Sequence, residues 1–273
     1  MALNQFIFGL IVAASFNLAP LRSSVATSRA AQATKTVQIS LDVDADVLVQ
    51  DSNHQRIGVD LKTRKFVNEI PDARTIEREG SSTYVLPFDK AGKPYMVMIA
   101  GKSDTSANLS MTGPGFVVGA RKLNLKPGEV EVVTFSANGT TVSVVPSRTG
   151  PPPQLFLTTQ SDRTRPSYRF EVAASALSRG KTMTLDLNLD AVLNFKSTDP
   201  NKGTLTITMR RTNPSGTRDI FSNRNVSFDG GNSYSIDFRN WDGKGEITFC
   251  RRISWDEGRC SLLKNEAPGK QPN

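Results

Sequence analysis

At 273 residues with a hydrophobic fraction of 37%, the chain can bury a core without a metal or a dense disulfide framework. Its formal net charge of +8 favours acidic partners, but it governs solubility and encounter rather than fold. One histidine and two cysteines leave too few ligands for a structural zinc site.

The N-terminal apolar run Phe6 to Phe16 has the length of a signal-peptide core and is too short to span a bilayer. Small residues follow it, so residues 1–33 are expected to be signal peptide and leader, with cleavage near 26 or 33. No Lys or Arg precedes the apolar core, which departs from the usual signal pattern. No second long apolar run follows, so the mature chain is expected to carry no stable membrane span.

From Thr36 to Asp51 the odd positions Val37 to Val49 are apolar and the even ones polar apart from Leu48. This period of two marks a half-buried strand, and the length implies a break near Asp44. Arg56 to Leu61 and Lys65 to Val67 suit a hairpin around 62–64, closed off by Pro71. Pro71 to Glu79 reads equally as a short helix or a loop. Tyr95, Val97 and Ile99 point one way and Met96 and Met98 the other, as in a central strand covered on both faces. Asn138-Gly139 supplies the positive φ of a tight turn between Glu129–Phe135 and Thr141–Val145.

The Pro-rich stretch 146–153 reads as a linker, because its prolines cannot join a central strand. Alternating runs resume beyond it, at Tyr168 to Val172, Met183 to Leu189 and Leu205 to Met209, and continue to the cysteines. Short strands at such regular spacing predict an all-β chain of two antiparallel, immunoglobulin-like β-sandwich domains in tandem. The expected limits are 34–145 and 154–263, with a disordered tail at 264–273. Cys250 and Cys260 flank a turn at Asp256-Glu257-Gly258 and are expected to form a disulfide in an oxidising compartment.

Several motifs carry a resemblance. Val47-Leu48-Val49 with Asp51, Arg56-x-Gly58-x-Asp60, Val67-Asn68-Glu69-Ile70-Pro71 and Tyr95-x-Val97 resemble a β-sandwich module of bacterial secreted and surface proteins. Tyr168-Arg169-Phe170, the 182–187 run and Phe238 to Gly243 resemble a companion module that often follows it. The turn 62–64 lacks the expected Gly, and Asp72 stands where a small residue is usual. The resemblance implies an accessory part of an exported protein, with no catalytic residues to carry over.

Asp42, Asp44 and Asp46 start like a calcium loop, but Val47 replaces the needed Gly, so a solvated charged edge sharing one face is expected instead. His54 reads as a turn histidine facing solvent. Tyr234, Trp241 and Trp255 form a candidate aromatic platform for a sugar, although a tryptophan in a β-sandwich is more often core or a strand-end plug. No catalytic, cofactor or metal residues are assigned, and no nucleic-acid partner is expected. The expected function is a secreted or periplasmic, non-enzymatic structural or binding module, whose partner is a protein or polysaccharide of the cell envelope. The alternatives are a carbohydrate-binding module using the C-terminal aromatics, and a hydrolase with an unmarked carboxylate pair.

Overall fold

A computed structural model describes residues 35–159, 165–188, 192–239, 241, 243–252 and 259–266. The expected signal peptide, Trp255, the turn at 256–258 and residues 267–273 lie outside the described residues. Among the described residues the regular structure is all β and contains no helix.

The first half supplies β1 (Thr36–Leu41), β2 (Ala45–Gln50), β3 (Arg56–Val59), β4 (Phe66–Asn68), β5 (Arg74–Arg78) and β6 (Ser81–Pro87). It continues with β7 (Pro94–Gly101), β8 (Thr105–Gly113), β9 (Phe116–Leu125), β10 (Val130–Ser136) and β11 (Thr141–Val145). The second half supplies β12 (Gln154–Thr159), β13 (Ser167–Ala174), β14 (Met183–Leu187), β15 (Val192–Ser197) and β16 (Gly203–Thr212). It ends with β17 (Arg218–Phe228), β18 (Ser233–Asp237), β19 (Ile247–Arg252) and β20 (Arg259–Leu263).

The strands form two open antiparallel sheets. The nine-stranded sheet has the order β17-β16-β13-β12-β9-β8-β1-β6-β5. The eleven-stranded sheet has the order β20-β19-β18-β15-β14-β11-β10-β7-β2-β3-β4. The period-two alternation places Val37, Ile39, Val97 and Ile99 fully buried between the sheets, whereas Met96 and Met98, on the face also expected to be covered, are only half-buried on the outer side.

The long opening run breaks where expected. The chain leaves β1 in one sheet, crosses at Asp42–Asp44 and enters β2 in the other. Asn108 secures the crossing by donating its backbone N–H and its side-chain amide to the Asp42 carboxylate, at 2.6 and 2.7 Å. The stretch left open between helix and loop contains an edge strand, β5, hairpinned to β6 through Gly80 at φ 70°.

The two halves share both sheets. In the nine-stranded sheet β12 pairs with β9 from Gln154↔Arg121 to Thr159↔Phe116. In the eleven-stranded sheet β14 pairs with β11 from Thr141↔Asp186 to Val144↔Met183. Buried residues from both halves belong to one hydrophobic cluster. The Pro-rich stretch therefore does not divide two sheet pairs; it carries the chain from β11 in one sheet to β12 in the other. Pro152 and Pro153 are buried, and Gly150 and Leu177 exchange backbone hydrogen bonds of 3.1 and 2.8 Å. Joining the halves covers four strand edges, those of β9, β12, β11 and β14, that would otherwise present unpaired N–H and C=O groups.

Part of the expected disordered tail is also ordered. After β20, residues 264–266 cross to the edge strand of the other sheet. The Glu266 N–H donates to Ser222 O at 2.7 Å, and the Asn265 side chain bonds both the Ser222 N–H and Ile220 O.

Candidate functional site

The expected disulfide is present: Cys250 and Cys260 are directly opposed partners on β19 and β20 and are bonded to each other. Of the aromatic residues named as a candidate platform, Tyr234 and Trp241 take the other placement, in the core. Tyr234 and Trp241 are only 3% and 6% exposed. Tyr234 stacks on Phe249 at 5.1 Å, and Trp241 meets Phe221 edge-on at 6.4 Å. The Trp241 indole N–H donates to Gly245 O at 3.3 Å, and the Arg211 guanidinium lies 5.3 Å from its ring. Both rings pack as core, each with its polar group satisfied.

Asp42, Asp44 and Asp46 do not share one face, because the chain changes sheets among them. Lys102 lies 2.7 Å from Asp44 and 3.5 Å from Asp46, and Arg64 also pairs with Asp46. The hydrogen bond to Asp44 is the main cause holding the Lys102 ammonium above its ordinary pKa. Among the described residues no group of three or more His, Cys, Asp or Glu is arranged to hold a metal. His54 is exposed in a turn at φ 64°, with Nδ1 2.9 Å from the Gln50 amide.

Arg56, Asp60 and Glu69, three of the residues quoted for the first module resemblance, form one cluster. Arg56 reaches Asp60 at 2.7 Å and holds Glu69 through Nη2 at 2.8 Å and Nε at 3.1 Å. The Asp60 carboxylate also takes the N–H groups of Thr63 and Lys62 at 2.8 and 3.0 Å, which closes the β3–β4 turn. Hydrogen bonding from Thr63 holds Asp60 below the ordinary carboxylate range, and the Arg56 side chain does the same to Glu69. Gly58, at φ 119°, packs so closely that a Cβ there would stand 2.2 Å from Val47 O. These contacts fix the edge of the eleven-stranded sheet.

An unpredicted site lies where the halves join on the outer face of the nine-stranded sheet. In successive strands one register row runs Ser40, Ser110, Gly119, Phe156, Glu171 and Thr208. Phe156 points away from the core and yet is only 5% exposed. It lies flat because Gly119 leaves room: a Cβ there would stand 2.2 Å from Leu109 O and 2.6 Å from the Phe156 ring. The Arg121 and Arg169 guanidiniums cover the ring, 5.0 and 5.4 Å from its centroid. Glu171 ties them together, accepting from Arg169 Nε at 2.7 Å and from Arg121 Nη1 at 3.5 Å, while Gln154 donates to its other oxygen at 3.1 Å.

Around this cluster is an open concavity of about 510 Å³, lined among others by Asn108, Ser110, Thr158 and the two arginines. A β-bulge aims Arg121 into it. Between Ala107 and Leu109 the β8–β9 register shifts, with Lys122 at φ 58° on the bulged strand. The sequence held one signal for this site. Leu155-Phe156-Leu157 is an unbroken apolar run, the pattern of a strand covered on both faces, although nothing in it names the arginines as the cover.

No protein-family model matches the chain, and no match was found among curated proteins or solved structures.

Proposed function

We propose that the chain is a secreted or periplasmic, non-enzymatic β-sandwich protein that serves as a structural or binding module of the cell envelope. The observation that carries this reading is the arginine-framed concavity, built on rigid strands from both halves rather than on loops. Sites on strands hold their geometry, and two guanidiniums fixed over a ring present donors with little ordering cost on binding. The Cys250–Cys260 disulfide accords with an oxidising compartment.

The hydrolase reading would need a facing carboxylate pair, and one such pair among the described residues is Glu129 with Glu131. Glu129 and Glu131 project towards Ser147, whose hydroxyl lies 3.0 Å from Glu129 and 2.6 Å from the buried Glu131. That hydroxyl fills the space between the carboxylates where a retaining or inverting pair needs substrate or water, so the binding reading is preferred.

Fractionation of producing cells, with co-sedimentation on their isolated envelope material, tests the proposal. A processed chain with no free thiols that pellets with the envelope is the expected result. An unprocessed cytosolic chain with two free thiols would sink it.

A further inference from the structure

We infer that the outer face of the nine-stranded sheet, centred on Arg121, Phe156 and Arg169, binds a carboxylate-bearing polysaccharide laid across the strands; the inference rests on the binding-module reading and names its ligand class. The first ground is charge. Strand alternation and register place Arg74, Arg78, Arg121, Arg169, Arg210 and Arg218 on this outward side, against Glu171 as the acidic residue on the same side of the described strands. Arg169 and Arg210 are direct cross-strand partners, a juxtaposition of like charges that costs stability when no anion lies between them.

The second ground is donor geometry. Glu171 engages Arg169 through Nε and Arg121 through Nη1. Among the described residues no acceptor meets Nη1 and Nη2 of Arg169 or Nη2 of Arg121. The Phe156 face beneath and the Glu171 carboxylate beside them hold both guanidinium groups in place, leaving those N–H groups for an outside carboxylate.

The third ground separates a glycan from a nucleic acid. Phe156 is the aromatic residue on the outward side of the described strands of this sheet, and the arginines cover it, so no ring is offered for base stacking. Duplex DNA carries a charge about every 1.7 Å along its axis, and the Glu171 carboxylate in the middle of the site opposes so dense a line of anions. A glycan with charges on separate sugar rings can place its carboxylates on the arginines and its hydroxyls elsewhere. Ser110, Thr158 and Asn108 line the concavity as polar partners, and the hydroxyls of Ser40 and Thr83 continue across the sheet. Such a spread of neutral polar groups between fixed cations suits sugar hydroxyls.

Binding of the full chain to polygalacturonate, measured by titration calorimetry at low salt, is the direct test. Neutral dextran and duplex DNA serve as comparisons. Binding to polygalacturonate is expected, with none to dextran and at least tenfold weaker binding to DNA. The Arg121→Ala/Arg169→Ala variant should lose at least tenfold in affinity. Because that pair also covers Phe156, the exposed Arg210→Glu is run beside it. It should weaken binding severalfold with an unfolding midpoint equal to or above the wild type's, because an acidic side chain opposite Arg169 replaces a like-charge pair. Unaltered affinity in both variants would overturn the site, and equal or tighter binding to DNA would overturn the ligand class. Envelope co-sedimentation that persists in the double variant, with no polygalacturonate binding by the wild type, would remove this inference while leaving the module reading in place.

Discussion

Gly58 shows how much one backbone position can demand. Its φ of 119° and the 2.2 Å approach of a hypothetical Cβ to Val47 O mean that Gly58→Ala adds both backbone strain and overlap. A loss of about 2 to 4 kcal/mol is expected, read from urea unfolding; an unchanged midpoint would contradict it. Arg64 at φ 58° and Asp72 at φ 61° stand where the module resemblance led one to look for Gly or a small residue, and both departures fall on left-handed backbone. The Arg56 cluster makes a pH prediction. Asp60 and Glu69 are held below the ordinary carboxylate range, so their contribution is fully present above about pH 5 and is lost as pH falls through the lowered values. Asp60→Asn should lower stability at neutral pH and flatten its decline below about pH 5. A decline as steep as that of the wild type would show that other groups carry the acid sensitivity.

Elements were legible wherever a local signal sufficed. The Asn138-Gly139 hairpin forms between β10 and β11, with Gly139 at φ 74°, and the opening run breaks at the aspartates. β5 was not legible, since an edge strand of mixed polarity has no buried face to impose alternation; Ile76 remains 39% exposed. Nor did the pattern separate a displayed aromatic from a core one: Tyr234 and Trp241 lie inside, where strand pairing between distant segments puts them. The arginine-framed site was hidden for the same reason, as Arg121, Phe156 and Arg169 become neighbours only through the β9–β12–β13 register. At the other end of the molecule, β20 is held to β19 by its ladder and the disulfide. Cys250→Ser with Cys260→Ser closes no loop in the unfolded chain, and a loss of about 2 to 3 kcal/mol is expected. Hydrogen exchange should quicken first at residues 259–263. Protection there equal to the wild type's would mean that the ladder alone holds the strand.

For the molecule as a whole, the shared sheets decide how it comes apart. β9–β12 and β11–β14 pairing couples the halves, so residues 35–266 should unfold in a single transition with coincident probes. The Pro-rich connection should resist limited proteolysis, given its buried prolines and the Ser147 bonds to Glu131. An early cut within 146–153 that leaves two folded fragments would show that the halves are separate cooperative units. The seam between the halves was invisible in the sequence because pairing of edges far apart in the chain has no local signature. The crossing of residues 264–266 onto β17 also sets an order in time. Ser222 receives its cover from Asn265, 43 residues later in the chain. During synthesis β17 is therefore complete while its outer rim still lacks its cap, and any neighbouring nascent chain with a free strand competes for that rim until the cap arrives. A crowded polysome is thus a harsher test of this fold than a dilute refolding tube, and slow translation between β17 and residue 264 should lower the yield of soluble protein.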